Sequence, residues 1–179
     1  YRVLAHGSHT RKSEKSFNSE LGVPLTILGV PNGWSNPLRW LHNLLDGLFL
    51  IVVKTRYPEW LVLEVGADRP GAISSLASWL QIDVAVITRL PEIPVHVEYF
   101  DSPEAVIEEK ASLINALTPE GTLILYAGNQ EVQNLKDRAK GRQVITFGLT
   151  PEADVRAEDR RLLFEEGREH WPLGMKAKL

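Results

Sequence analysis

The sequence predicts an α/β domain in which a mostly parallel sheet is flanked by helices, with a short antiparallel edge at the C-terminal end. Two features predict this class. Short apolar runs alternate with segments of helical periodicity, and the links between them are short. Strand–helix–strand units joined in this way form right-handed crossovers, and such crossovers make the strands parallel.

The first half of the chain contains two predicted strands and two predicted helices. The strands are at residues 1–5 and 60–66, and the helices are at residues 36–54 and 71–81. In the last of these segments, Ile73, Leu76 and Leu80 recur at the spacing of one helix face. The longer helical segment is predicted to form one helix that packs on the sheet.

The second half repeats the alternation with clearer boundaries. Strands are predicted at 83–88, 121–128 and 143–148, and helices at 102–117 and 131–141. Ser102 is suited to cap the first of these helices and Pro103 to occupy its first turn, while Gly141 closes the second. Residues 1–148 therefore form the predicted α/β core. The remaining segment, 149–179, contains three short stretches that predict the antiparallel edge.

Composition excludes several classes of protein. The net charge is −3, which does not indicate a general nucleic-acid or membrane binder. The absence of cysteine excludes a disulfide scaffold and a thiolate metal site, and it fits a cytoplasmic location. The longest apolar run, at residues 47–53, is too short to cross a bilayer, so membrane insertion is not expected.

The opening stretch raises the question of a phosphate-binding loop, because Arg11, Lys12 and Ser13 follow an apolar run and Gly7. The Walker pattern requires a glycine directly before its lysine, and here Arg11 occupies that position. No other segment matches the pattern. The stretch is therefore interpreted as a strand that ends in a polar loop.

Ligands of open parallel sheets bind beyond the carboxyl ends of the strands. Three segments are expected to converge there: residues 64–69, 88–96 and 126–129. Glu64 ends an apolar strand, where a carboxylate either holds Mg²⁺ or caps the following turn. His96 lies in a loop stiffened by two prolines, and it is either aimed at a ligand or an ordinary loop histidine.

Lys110 has an unusual predicted position. If the helix over 102–117 is regular, this lysine lies in the middle of the apolar stripe formed by Val106, Leu113 and Leu117. An ammonium group there is costly unless it is paired, neutralised or able to reach water. Two interpretations follow: the stem lies on the core while the charge reaches solvent, or the amine is functional and faces the ligand crevice.

Four segments, taken in order, resemble the central ATP-binding domain of the Mur ligases. They are residues 16–28, 61–73, 96–114 and 144–148. The first resembles the loop after the family's second strand, and the second resembles the strand that ends in a magnesium-binding glutamate. The third resembles the histidine segment and the helix with a modified lysine, and the fourth resembles a strand near the nucleotide. The resemblance implies a P-loop NTPase-like fold.

The resemblance also implies an ATP-dependent ligase of peptidoglycan precursor synthesis. Such an enzyme activates the carboxylate of a UDP-N-acetylmuramoyl peptide as an acyl-phosphate and joins it to D-alanyl-D-alanine or another amino compound. ATP and Mg²⁺ are then required, with Glu64, His96 and a carbamylated Lys110 as metal ligands. Asn18 would contact the substrate, and Asn129 would contact the nucleotide where the family has the sequence Asn-Ala-Asp-Asp.

By the same resemblance, the phosphate loop would precede Tyr1. We therefore expect residues 1–179 to form one partial central domain that shows no ligase turnover without the remaining domains of the parent chain. Residues 30–60 exceed the length of the family pattern and carry three of the five tryptophans, so they are interpreted as an insertion or a docking surface. Two other functions stay open: a non-catalytic relative that binds a nucleotide or a partner, and a folylpolyglutamate synthetase-like ligase. A Walker sequence upstream would argue against the non-catalytic relative.

Overall fold

A computed structural model describes residues 1–14, 17–165 and 168–178, and for the strands between residues 159 and 176 it describes the backbone alone. Ser16, at the start of the predicted family loop, and Glu166 and Gly167, in a predicted edge strand, lie outside the described residues. The chain divides into two compact units, Tyr1–Ser75 and Leu76–Leu179. Each unit has its own parallel sheet.

The first unit is built on a two-stranded parallel sheet. Its elements are β1 (Thr10–Lys12), α1 (Gly22–Leu28), α2 (Pro37–Val52), β2 (Trp60–Val62) and the start of α3 (Ala72–Ala77). β1 and β2 run parallel, with Arg11 opposite Leu61. The predicted strand–helix–strand order is confirmed, although β2 ends four residues earlier than predicted.

The predicted opening strand at residues 1–5 is wrong. Leu4–His6 forms a 3-10 turn, and β1 lies further along the chain. The carbonyl of His9 accepts the backbone N–H groups of Glu59 and Trp60, at 2.8 and 3.3 Å. The prediction rested on the apolar character of residues 1–5. A strand also needs a neighbouring strand to which its backbone can hydrogen-bond, and β2 pairs with residues 10–12.

Part of the predicted family loop is helical, because α1 begins at Gly22 and ends before Gly29, which has a φ of 75°. Arg11 holds this end: its Nη1 donates to the carbonyls of Ile27, at 2.7 Å, and Thr26, at 3.3 Å. The Tyr57 phenol also donates to Ile27, at 2.6 Å. Burial raises the pKa of Tyr57, against a smaller opposite effect of the Arg11 charge, so the phenol keeps the proton that it donates.

The helix predicted at residues 36–54 is confirmed as α2, and Asn36 caps it by accepting the N–H of Arg39 at 3.1 Å. Among the described residues of its unit, the sheet is not the main packing partner of α2, contrary to the prediction. Within its unit α2 packs on α1, its buried residues are Asn43 and Gly47, and most of its leucines are exposed.

The second unit contains a four-stranded parallel sheet in the order β3-β4-β5-β6. The strands are β3 (Ile82–Ile87), β4 (Leu117–Tyr126), β5 (Gln143–Gly148) and β6 (Val155–Arg156). The helices are α4 (Pro103–Ala111) and α5 (Val132–Arg138), with 3-10 turns at Val97–Tyr99 and Ser112–Ala116. The alternation predicted for this half of the chain is confirmed.

The predicted start of α4 is also confirmed, since Ser102 Oγ accepts the N–H of Ala105 at 3.3 Å. The helix ends at Ala111 and continues as a 3-10 turn, so the regular helix is shorter than predicted. The core packs α4, this turn and α5 against the sheet. Its buried members are Ala85, Ile87, Ala111, Ile114, Leu117, Leu123, Leu125, Leu135 and Ala139.

The C-terminal segment is part parallel and part antiparallel. β6 pairs in parallel with β5, so the antiparallel direction predicted for this stretch is wrong. The Asp154 carboxylate accepts the backbone N–H and the hydroxyl of Thr146, both at 2.7 Å, and these bonds lower the pKa of Asp154. They hold the chain beside β5 just before β6. β7 (Glu158–Glu165) and β8 (Arg168–Lys178) do pair antiparallel, in a two-stranded sheet of their own.

Candidate active site

The carboxyl ends of β1 and β2 bring Ser13 and Glu64 together. The N–H of Ser13 donates to the carbonyl of Val62, and its Oγ accepts the N–H of Glu64, both at 3.0 Å. These bonds extend the pairing past each strand and fix the point where Glu64 leaves the sheet. Its side chain is exposed, so the carboxylate is accessible to a cation.

Asn18 lies against the loop that follows Glu64. The carbonyl of Asn18 accepts the N–H of Gly66 at 2.8 Å. A Cβ at Gly66 would lie 3.0 Å from Asn18 Nδ2 and 3.3 Å from Asp68 Oδ1, a contact that glycine avoids. The sequence pattern indicated Asn18 and Glu64 separately, and it predicted neither this close approach nor the contact of Ser13. The signals were a glycine in the loop after β2 and a serine in the opening polar loop.

In the second unit, Asn129 connects the loops that leave β3 and β4. Its Oδ1 accepts the N–H of Leu90 at 2.7 Å, and its Nδ2 donates to the carbonyl of Thr88 at 3.2 Å. Asn129 is buried. Two of the three segments expected to converge, 88–96 and 126–129, therefore meet, while the segment 64–69 belongs to the first unit.

Replacing Asn129 with alanine is expected to destabilise the second unit by about 1–3 kcal/mol, because two partly buried hydrogen bonds to backbone groups are lost. Urea unfolding followed by circular dichroism measures the change. Asn134→Ala is the control, since Asn134 bonds only at the exposed surface of α5, and we expect less than about 0.5 kcal/mol there. An unchanged midpoint for Asn129→Ala would contradict this structural role. The contact of Asn129 with the nucleotide stays a prediction.

His96 has a backbone conformation that few non-glycine residues adopt, with φ 67° and ψ 12°. It precedes a 3-10 turn, and its carbonyl accepts the N–H of Tyr99 at 3.1 Å. The two rings lie 6.3 Å apart, and the imidazole is exposed. Left-handed backbone of this kind is found both at functional sites and in ordinary turns, where histidine is enriched, so the role of the His96 side chain stays a prediction.

Lys110 lies in the last turn of α4, one turn after the fully buried Val106. The lysine is half-buried, and burial lowers the pKa of its amine. Lys110 is thus partly desolvated, in the direction that its place on the apolar face predicts, although the regular helix does not extend to Leu117. A larger neutral fraction of the amine is the chemical condition for reaction with CO₂.

In the part of the chain that the structure describes, no group of three or more histidine, aspartate or glutamate side chains is arranged to hold a metal. The predicted set contains only two such side chains, Glu64 and His96, because its third member is a modified lysine. Glu64 belongs to the first unit, and His96 and Lys110 belong to the second. Their assembly around one ion stays a prediction.

Comparison with known proteins identifies the family of this chain. The family model described as "Mur ligase middle domain" matches residues 45–174. The UDP-N-acetylmuramoyl-tripeptide–D-alanyl-D-alanine ligase of Bacillus subtilis is 28% identical over 159 residues, which are 89% of this chain and 28% of that protein. A UDP-N-acetylmuramate–L-alanine ligase of Methylobacterium sp. is 30% identical over 101 residues, which are 56% of this chain and 20% of that protein.

Solved structures show the same fold. MurF from Acinetobacter baumannii superposes with a TM-score of 0.66 and 21% identity, over 90% of this chain and 29% of that one. MurF ligase from Thermotoga maritima, in complex with ADP, gives 0.65 and 23% identity, over 92% and 32%. The chain thus spans less than a third of the length of these relatives. Because the family model covers most of its residues, this chain belongs to the Mur ligase middle domain family.

Proposed function

We propose that the protein carrying this chain is an ATP-dependent ligase that joins D-alanyl-D-alanine to a UDP-N-acetylmuramoyl peptide. The name of the Bacillus relative supports this substrate pair. The Thermotoga structure, described as a complex with ADP, supports a nucleotide. The observation that carries the proposal is the match of residues 45–174 to the Mur ligase middle domain. Lys110 is half-buried in this domain, and burial lowers the pKa of its amine.

The proposed reaction has two balanced steps. The peptide carboxylate takes the γ-phosphoryl group of ATP, which releases ADP and forms an acyl-phosphate. The amine of D-alanyl-D-alanine then attacks the acyl carbon, and an amide forms as phosphate and a proton leave. Bound Mg²⁺ would supply positive charge to the phosphate oxygens.

Lys110 is proposed to prepare the metal site before catalysis. Its neutral nitrogen attacks the carbon of CO₂ and loses one proton to solvent, which leaves a carbamate in place of the amine. The carbamate oxygens and the Glu64 carboxylate are hard ligands of the kind that Mg²⁺ prefers, and His96 would complete the set. Asn18, held against the loop after Glu64, is proposed to orient the substrate.

Turnover of the full-length protein tests the proposal. We expect phosphate release from ATP that depends on both the UDP-N-acetylmuramoyl peptide and D-alanyl-D-alanine. Glu64→Gln should lower this rate by roughly 100-fold or more, the scale for losing one preorganised electrostatic group. Glu59→Gln is the matched control, since Glu59 is exposed directly before β2 and should leave the rate unchanged.

The same assay separates the alternatives. Turnover with folate and glutamate, but not with the peptidoglycan pair, would support the folylpolyglutamate synthetase-like ligase instead. Binding of a fluorescent ATP analogue without turnover of either pair would support the non-catalytic relative. Equal rates for Glu64→Gln and Glu59→Gln would remove Glu64 from the metal site.

A further inference from the structure

The helix α2 presents an apolar face to solvent. Six of its large apolar side chains lie within roughly 100° of its circumference, and each is more than half exposed. They are Leu38, Leu41, Leu45, Leu48, Phe49 and Val52, and together they form what we call the outer face of α2. A helix in a globular protein normally turns such a stripe toward the core. A contiguous apolar surface of this kind therefore indicates a site of interaction.

The opposite side of α2 fixes this orientation. Asn43 and Gly47 are its buried residues. Asn43 Nδ2 donates to the carbonyl of Pro31 at 2.7 Å, and a Cβ at Gly47 would lie 3.5 Å from the Leu28 side chain of α1. The helix is thus attached to the first unit by its small and polar side, which turns the outer face away from α1.

The segment around α2 is basic, although the whole chain has a net charge of −3. Its exposed basic residues are Arg39, Lys54 and Arg56. The one acidic residue between positions 30 and 58 is Asp46, which lies 3.5 Å from His42 Nε2. Charge complementarity therefore favours an anionic partner, and it disfavours a second copy of this chain because two such segments would repel each other.

An anionic bilayer surface satisfies both the apolar and the basic features. Helices that lie in the membrane interface combine a Leu- and Phe-rich face with basic residues beside it. α2 has 16 residues, and no helix in the described ranges is long and apolar enough to cross a membrane. Trp34, just before the helix, is exposed, and indole rings favour the lipid–water boundary.

We propose that the outer face of α2 binds the surface of an anionic phospholipid bilayer, with the helix lying in the plane of the membrane. The inference does not rest on the ligase activity. It assigns α2 to membrane attachment, and none of the candidate site residues lies on this helix.

Co-sedimentation of the purified full-length protein with lipid vesicles tests the proposal. Vesicles containing phosphatidylglycerol should bind the protein, and vesicles of phosphatidylcholine alone should bind it more weakly. Added NaCl should reduce the difference, because salt screens the basic residues. The triple variant L41S/L45S/L48S should lower the partition coefficient more than about tenfold. The variant R39Q/K54Q/R56Q should lower the partition coefficient about tenfold or more on vesicles that contain phosphatidylglycerol. It should leave the partition coefficient on phosphatidylcholine vesicles unchanged.

A matched control removes exposed apolar residues elsewhere. Ile93 and Val95 are highly exposed in the loop after β3, and I93S/V95S should bind vesicles as the unchanged protein does. Circular dichroism should show that each variant is folded. Because the chain contains no cysteine, a solvatochromic dye on Leu48→Cys reports the contact independently. The emission of this dye should shift to the blue when anionic vesicles are added. The same dye on Glu120→Cys, at an exposed position of β4, should show no shift.

Three outcomes would overturn the proposal. In the first, neither the protein nor the labelled Leu48→Cys variant responds to anionic vesicles. In the second, the protein self-associates without lipid and L41S/L45S/L48S makes it monomeric, which would assign the outer face to a second copy. In the third, L41S/L45S/L48S strongly lowers the unfolding temperature without lipid, which would show that the protein itself covers this face.

Discussion

Lys110→Met is expected to lower the ligase turnover of the full-length enzyme by roughly 1000-fold and, at the same time, to stabilise the domain slightly. The turnover falls because methionine cannot form a carbamate and so removes one metal ligand. The stability rises because methionine keeps an apolar side chain of similar length but removes a half-buried ammonium group. Since Lys110 keeps substantial contact with water, the gain should stay below about 1 kcal/mol.

The stability gain has a defined pH dependence. Burial lowers the pKa of Lys110 below the ordinary lysine value of 10.5. Between the lowered value and 10.5 the unfolded chain binds more protons than the folded chain, so the stability of the lysine protein rises with pH across that window. The advantage of Lys110→Met should be constant below the folded pKa and should disappear above pH 10.5. Guanidinium unfolding of both proteins in CO₂-free buffer measures this.

The controls separate a functional lysine from one that only covers the core. Lys136→Met, on α5, should change turnover less than about twofold. Incubation with ¹³C-labelled bicarbonate should give a carbamate resonance in the unchanged protein and none in Lys110→Met. If Lys110→Met turns over at nearly the rate of the unsubstituted enzyme, the assignment of Lys110 to the metal site is wrong. That result would support the interpretation in which the lysine stem lies on the core and the charge reaches solvent.

Leu123→Ala is expected to destabilise the second unit by about 2–5 kcal/mol, because it opens a cavity in a fully buried position of β4. Its side chain belongs to the core formed by the sheet, α4 and α5. For a chain of this size each kcal/mol lowers the unfolding temperature by roughly 2–4 °C. Thermal unfolding followed by circular dichroism should therefore show a decrease on the order of 10 °C.

The matched substitution is Leu149→Ala, which makes the same chemical change directly after β5, where the side chain is 43% exposed. It should lower stability by less than about 1 kcal/mol, because little apolar surface is removed from contact. Similar losses for the two variants would contradict the core described for the second unit.

The sequence predicted most of the second unit because its signals are local. β3 and β5 were found at nearly the predicted residues, and Ser102 caps α4 as its position before Pro103 suggested. Alternation, caps and apolar spacing depend on neighbours within a few residues, so a single sequence contains them. The predicted burial of Lys110 has the same origin, since it follows from a helix face.

Other features depended on partners far along the chain. β1 lies at residues 10–12 because His9 meets Glu59 and Trp60 across about fifty residues of chain, and β6 runs parallel to β5 beside the bonds between Asp154 and Thr146. Asn129 binds the exit of β3 in the same way. A local sequence pattern does not specify the distant backbone segment to which a residue will hydrogen-bond, because strand pairing depends on how all of the segments pack together.

Local patterns and the resemblance of four segments were enough to predict the family, the parallel α/β architecture and the partial burial of Lys110. The contact of Asn18 with the loop after Glu64 and the exposure of the leucines of α2 became visible in the folded chain alone. The physical reason is that periodicity defines which side of a helix is apolar, whereas the contacts of Asn43 and Gly47 decide which side the rest of the fold covers.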